Sequence, residues 1–150
     1  MSNVIDLTTK RSFVERQPCF AKFTENETEE LAALFTEEHV SKGTLIVTQG
    51  APVDKVYLIV SGTADVQLIT IENRETKTTI VATLGPDEAI GLNETGFYSL
   101  SGIRAASVIA TTDMTLLSLS VAAFHGFSLS NPHVHEVMQS YANQVLDIKF

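Results

Sequence analysis

The apolar and polar positions of this chain change period twice. In "FTENETEELAALFTEEHV", from Phe23, Leu31, Leu34 and Phe35 fall on one stripe while the glutamates take the opposite face, the spacing of an amphipathic helix. Thr24 followed three residues later by Glu27 is a capping box, with Phe23 placed to staple against the first turns, so a helix of about three turns is predicted here. Residues 1 to about 20 carry scattered apolar positions without a firm period and read as a short helical or extended arm.

From Gly43 the period shortens to two. "TLIVTQ", "VYLIV", "TADVQLITI" and "TTIVATL" are β-branched runs separated by the turn chemistries "QGAPVD", "SG", "ENRET" and "GPDE". In "TADVQLITI", Ala64, Val66 and Leu68 alternate with Asp65 and Gln67, as a half-buried strand requires. "RAASVIA" and "MTLLSLS" are two further strand-like runs. Their even spacing, with no helical pattern between residues 44 and 84, predicts an antiparallel sheet closing into a barrel or roll.

The period lengthens again near the end. "SVAAFHGF" predicts a helical turn or two, and "SNPHVHEVMQSYANQVLDIKF" a helix opened by Pro132 and capped by Ser130 or Asn131. Val134, Val137 or Met138, Tyr141, Val145 and Ile148 recur at spacings of three and four. That stripe can pack on its own barrel, or on a second copy to give a homodimer through residues 134–148. The expected fold class is mainly β with flanking helices: an antiparallel β-roll, a jelly-roll-like barrel, with an N-terminal and a C-terminal helix. It divides into an arm at 1–22, the roll at 23–132 and the last helix at 133–150.

Composition narrows the function classes. At 150 residues the chain fits one domain with a core of its own, and 44% hydrophobic with 19% charged residues is ordinary for a globular protein. No run approaches the length of a membrane span, and "MSNVIDLTTKRSFVERQPC" lacks the apolar block of a secretory signal. Neither a membrane nor a nucleic-acid partner is expected. The single cysteine, Cys19, cannot form an internal disulfide, so a structural thiol in a cytoplasmic protein is the expectation. A formal net charge of −8 argues against a phosphate-backbone surface. It leaves room for a small anionic ligand, which a few donors in a pocket hold locally.

Such a pocket is suggested by "GLNETGFYSLSGIRAAS", where Arg104 follows a loop of glycines, serines and aromatics and precedes small and β-branched residues. An arginine buried unpaired among Ala, Val and Ile would be strongly destabilising, and an anion would relieve that cost. The alternative places Arg104 at a strand end, reaching water or pairing with Glu94 or Asp113.

The order of these parts, from about Phe23 to the end, resembles the cyclic nucleotide-binding domain of the catabolite-activator and protein-kinase-regulatory type. "GTLIVTQGAPVDKVYLIVSGTADV" is similar to the family's first half, "LGPDEAIGLNE" to its third glycine turn and "FGE" segment, "RAASVIA" to "R-T/S-A-x-V-x-A", and "LLSLSVAAF" to the strand and helix start that follow. The resemblance implies a phosphate-binding cassette around Gly91–Ala106. Gly91 would open a short helix whose free amides meet a cyclic phosphate, and Arg104 would supply the two-pronged charged partner. Two residues depart from the pattern. Leu92 stands where the family has the glutamate that accepts the ribose 2′-hydroxyl, and Ala105 where it has a phosphate-donating Ser or Thr. The cassette is a residue or two longer, so Glu94, beside Asn93, could take the glutamate role, and Ser99 or Ser101 that of the missing hydroxyl. Phe97 or Tyr98 would either stack on a base or fill the lid of the core. Asn143 and Gln144 on the last helix offer edge contacts. With no helix-turn-helix or kinase segment in the sequence, output is expected through oligomer geometry or a separate protein.

An enzyme is not expected. "HVHE", His133–Glu136, has the two-residue histidine spacing of a cupin metal site, but it lies in a helical period, where positions two apart diverge by roughly 200°. Glu136 directly after His135 is wrongly spaced, and Gln139 and Ser140 stand where the cupin glutamate should be. His39 and His125 are isolated. No triad order, Walker loop or dinucleotide fingerprint is present, and "GLNETG" lacks a P-loop's Gly-Lys-Ser/Thr ending. No metal and no resident cofactor are expected, only a cyclic-nucleotide-like ligand. The competing expectation is a ligand-free dimerisation or protein-docking scaffold with a vestigial pocket.

Overall fold

The computed structural model describes residues 5–92 and 102–145, with side chains through Tyr141. Among the described residues, eight strands form two four-stranded antiparallel sheets, which helices cover on one side: the β-roll expected from the alternation. The first sheet has the order β1 (Thr36–Val40), β8 (Met114–Ser120), β3 (Lys55–Ser61), β6 (Ala89–Ile90). The second has the order β2 (Leu45–Val47), β7 (Ser107–Ala110), β4 (Ala64–Glu72), β5 (Glu75–Leu84).

The apolar runs of β3 and β8 lie between two cores, which is why they read as continuous rather than alternating. Tyr57, Ile59, Met114 and Leu116, with Ile90 of β6, face the second sheet, against Val47, Ala64, Val108 and Ala110. Val56, Leu58, Leu117 and Leu119 face the helices, against Phe20, Leu31, Phe35, Phe124 and Val134. The "ENRET" turn joins β4 to β5 through Asn73 and Arg74, both at positive φ, the two-residue hairpin geometry whose twist matches the strands.

Helical structure begins at residue 7, within the stretch read from the sequence as an arm. Asp6 accepts a hydrogen bond from the Thr9 N–H and caps α1 (Leu7–Glu15); a 3-10 turn follows at Pro18–Phe20. Phe13, Val14, Cys19 and Phe20 from this segment enter the helix-side core. The capping box is present at the start of α2 (Glu25–Leu34): Thr24 Oγ1 accepts from the Glu27 N–H at 3.2 Å, and Glu27 Oε1 from the Thr24 N–H at 2.8 Å. Phe23 packs on the rings of Phe20 and Phe127, with centroids at 5.4 and 6.3 Å.

Two elements differ from the sequence reading. "TEEHV" forms strand β1, because pairing with β8 from Thr36↔Ser118 to Val40↔Met114 outweighs local preference. "SVAAFHGF" forms more than a turn or two: α3 (Val121–Ser130), capped by Ser120 Oγ, continues through Gly126 because Phe124 and Phe127 are buried on one side of it. The last helix, α4 (Pro132–Val145), turns Val134 and Met138 into the helix-side core, with Val137 and Tyr141 packed against it. The stripe through Tyr141 thus packs within its own chain; Ile148 and the side chain of Val145 lie outside the described residues. Among those residues, no helix is long and apolar enough to cross a membrane.

Candidate functional site

Arg104 is held by its backbone before its side chain makes any contact. Residues 102–104 run antiparallel to residues 50–53: the Arg104 N–H donates to Ala51 O at 2.8 Å, Gly50 N–H to Arg104 O at 2.9 Å, and Val53 N–H to Gly102 O at 2.8 Å. This ladder turns the side chain inward, and the residue is only 3% exposed. Nη2 donates to Lys55 O at 2.5 Å and lies 3.8 Å from a carboxylate oxygen of Asp54, whose own side chain is 79% exposed. The guanidinium therefore sits in the wall of the roll. It reaches neither bulk water nor Asp113, whose carboxylate accepts from the Lys42 N–H instead.

Gly91 follows β6 at φ +95°, where a side chain is strained, and a Cβ built there would stand 2.8 Å from Arg104 Nη1. Glycine is needed at this position for its backbone angle and for the space the guanidinium occupies. Tyr57, on the strand next to β6, has its phenol pushed above the ordinary range by burial; Glu38 and Asp54 add to the shift and Arg104 opposes it.

Leu92 is buried in the helix-side core with Val56, Leu58 and Leu119. Ala105 is exposed and offers no hydroxyl. The structure brings Gly91 and Arg104 together, while Leu92 points into the core. Asn93, Glu94, Ser99 and Ser101, with Phe97 and Tyr98, lie outside the described residues, as do the side chains of Asn143 and Gln144.

Sequence reasoning missed the partners of the arginine, Asp54 and the Lys55 carbonyl, for which only the turn before β3 gave a signal. It also missed Gln49. The Gln49 N–H donates to the buried Ser107 Oγ at 2.9 Å, and its side-chain amide joins both backbone groups of Ile69. The histidines of "HVHE" diverge: His133 Nδ1 lies 2.8 Å from Glu27 Oε1, and His135 Nδ1 lies 3.4 Å from Ser128 Oγ. Cys19 is buried, which pushes its thiol up to about 12. A separate cavity of about 510 Å³ lies between the 3-10 turn and α4, lined by Pro18, Cys19, Lys22, His133 and Tyr141 among others. It shares no lining residue with the Arg104 site.

The cyclic nucleotide-binding domain model matches residues 37–131, which contain both Gly91 and Arg104. The chain belongs to the cyclic nucleotide-binding domain family. The N-terminal domain of a transcriptional regulator from Streptomyces coelicolor is similar at 22% identity and TM-score 0.77, over 90% of this chain and 92% of that one. The regulatory subunit of a cAMP-independent protein kinase A from Trypanosoma brucei matches at 20% identity and TM-score 0.67, over 93% of this chain and 48% of that one. The Thermus thermophilus catabolite activator protein matches at 24% identity and TM-score 0.66, over 87% of this chain and 59% of that one. At these identities the likeness establishes the cyclic nucleotide-binding fold, which in these proteins belongs to regulators. None of the curated proteins matches the chain in sequence.

Proposed function

We propose that this cyclic nucleotide-binding domain is a sensor module that takes a small anionic, cyclic-nucleotide-like ligand on Arg104 and the backbone following Gly91, and is not an enzyme. The observation that carries this reading is a buried guanidinium seated against a glycine. A cation in an apolar wall is strongly destabilising unless acceptors surround it, and here one protein partner, Asp54, is largely solvent-exposed at 3.8 Å. An incoming phosphate competes with that exposed carboxylate for Arg104 and offers shorter, two-pronged geometry.

The output path is mechanical. Leu92 adjoins Gly91 and belongs to the same apolar cluster as Val134 and Met138 of α4. A shift of Gly91 on ligand binding moves Leu92, and the packing of α4 responds, a population shift of a two-state element. Titration calorimetry with cyclic AMP and cyclic GMP, on the parent and on Arg104→Ala, tests this. Heat in the parent that vanishes in the variant supports the sensor; no heat in the parent at millimolar ligand rejects it.

A second reading is favoured by Leu92 and Ala105. With position 92 committed to the core, a ribose hydroxyl has no acceptor there, a loss of about 1–3 kcal/mol. On that reading the domain is a dimerisation or protein-docking scaffold with a vestigial pocket, and calorimetric silence is its signature.

A further inference from the structure

β5 ends its sheet, and each of its residues before Leu84 is exposed. The direction of its backbone groups follows from Gln49. The Ile69 N–H donates to Gln49 Oε1 at 2.8 Å, and Gln49 Nε2 donates to Ile69 O at 3.0 Å. Both backbone groups of Ile69 therefore point away from β5. In the antiparallel register Ile69 faces Thr78, so Thr78 in turn points its N–H and C=O away from β4. The same parity holds for Ile71↔Thr76 and Gln67↔Ile80. Thr76, Thr78 and Ile80 thus direct six backbone groups outward along one edge, and among the described residues no strand lies beyond it.

Little of the usual protection is present on this edge, apart from a bulge at Val81, where the β4–β5 register shifts. Natural sheets blunt a long free edge with charge, proline or a covering element. β5 contains no proline and a single lysine, Lys77, whose Nζ lies 3.9 Å from Glu72 on the same hairpin. On the hairpin's outer face Ile71 is 78% exposed and Ile80 58%, with Ile69 beside them. A single strand edge with an apolar flank invites another strand.

Charge selects a second copy as that strand. The chain carries −8, so two copies repel over most of their surface. The β4–β5 hairpin, Ala64–Leu84, is close to neutral, however: three carboxylates, Asp65, Glu72 and Glu75, stand against two cations, Arg74 and Lys77. Antiparallel pairing of β5 with itself about a two-fold axis at Thr78 sets Thr76 opposite Ile80 and Thr78 opposite Thr78, each an outward-pointing residue meeting its like. It sets Lys77 opposite Thr79 and Glu75 opposite Val81, with no like charges directly opposed. At each end Arg74 of one copy comes alongside Thr83 and Asp65 of the other, a cation beside the carboxylate that Thr83 Oγ1 already contacts at 3.0 Å.

We propose that β5 is a self-pairing edge: two copies join β5 to β5 antiparallel about Thr78, fusing their second sheets into one eight-stranded sheet with a shared outer strip of Ile69, Ile71 and Ile80. The contact is isologous and closes on itself, so it yields a dimer rather than a fibre. It is independent of ligand binding and of α4.

Sedimentation velocity of the full 150-residue chain over a concentration series, with Thr78→Pro, Ile80→Lys and Glu136→Lys, tests it. Proline at 78 removes an outward N–H and spares the β4–β5 ladder, and lysine at 80 charges the strip without touching the backbone. Circular dichroism confirms that each variant is folded, and Ile80→Lys stands alone if Thr78→Pro is not. The expected result is a concentration-dependent dimer in the parent and in Glu136→Lys, at an exposed position of α4, with the dissociation constant raised about tenfold or more by each β5 substitution. A parent monomeric at concentrations on the order of 100 µM overturns the proposal, including the case where the edge serves a foreign strand. So does a dimer that survives Ile80→Lys.

Discussion

Gly91 and Arg104 are thirteen positions apart, yet the glycine's absent side chain is the space that the arginine's Nη1 fills, with a built Cβ at 2.8 Å. Each residue explains the other. The guanidinium is tolerated in the wall because Gly91 admits it beside Lys55 O, and Gly91 is held at φ +95° in a segment that leads directly into the core through Leu92.

Gly91→Ala combines a strained backbone angle with a clash at the guanidinium. The expected loss is about 1–3 kcal/mol in unfolding free energy, read by urea denaturation. A neutral result would mean that the segment relaxes freely around the arginine.

Arg104→Lys keeps the charge and gives up the planar fork. The variant should fold, and any calorimetric signal with a cyclic nucleotide should weaken by at least about tenfold relative to the parent. Equal affinity in the two proteins would show that Arg104 acts as a point charge only.

Leu92→Glu introduces the glutamate that the resemblance implies at this position and places a carboxylate among Val56, Leu58 and Leu119. Burial of an unpaired charge there should cost more than the cavity left by Leu92→Ala, itself about 2–5 kcal/mol. Chemical denaturation of both variants gives the order. Leu92→Glu more stable than Leu92→Ala would mean that the glutamate finds a polar exit, and the ligand site would then need redrawing.

Glu27 gives a pH dependence of defined sign. Burial opposes its ionisation, but the Thr24 N–H and the His133 ring outweigh that effect, and the carboxyl is held below its ordinary value of 4.5. A depressed carboxyl pKa stabilises the fold above the unfolded-state value, and that stability is lost as pH falls through the folded-state value. Stability should therefore fall on acidification below about pH 4.5, and Glu27→Gln should flatten that part of the profile. A Glu27→Gln profile parallel to the parent's would assign the acid limb to other carboxylates.

The legible parts were those whose signal is local. Thr24 and Glu27 sit three apart, as a capping box needs, and "VYLIV" and "MTLLSLS" are strands that pack on both faces. "TEEHV" misled because its strand identity comes from β8, some eighty residues away. Gly126 made α3 look shorter than it is, since Phe124 and Phe127 hold the helix together from the core side. In the candidate site, Arg104 and Gly91 stood out by residue type. Asp54 and the Lys55 carbonyl did not, because one is an ordinary turn residue and the other a backbone atom.

The sequence by itself determined the strand periodicity, the capped second helix and the family, since each is written in spacing along the chain. Only the tertiary structure decided that Arg104 is buried, that Leu92 serves the core and that α4 packs through Tyr141 on its own chain. Those outcomes depend on which distant backbone groups meet: residues 50–53 against 102–104, and β3 against β6. No single segment encodes a meeting between two.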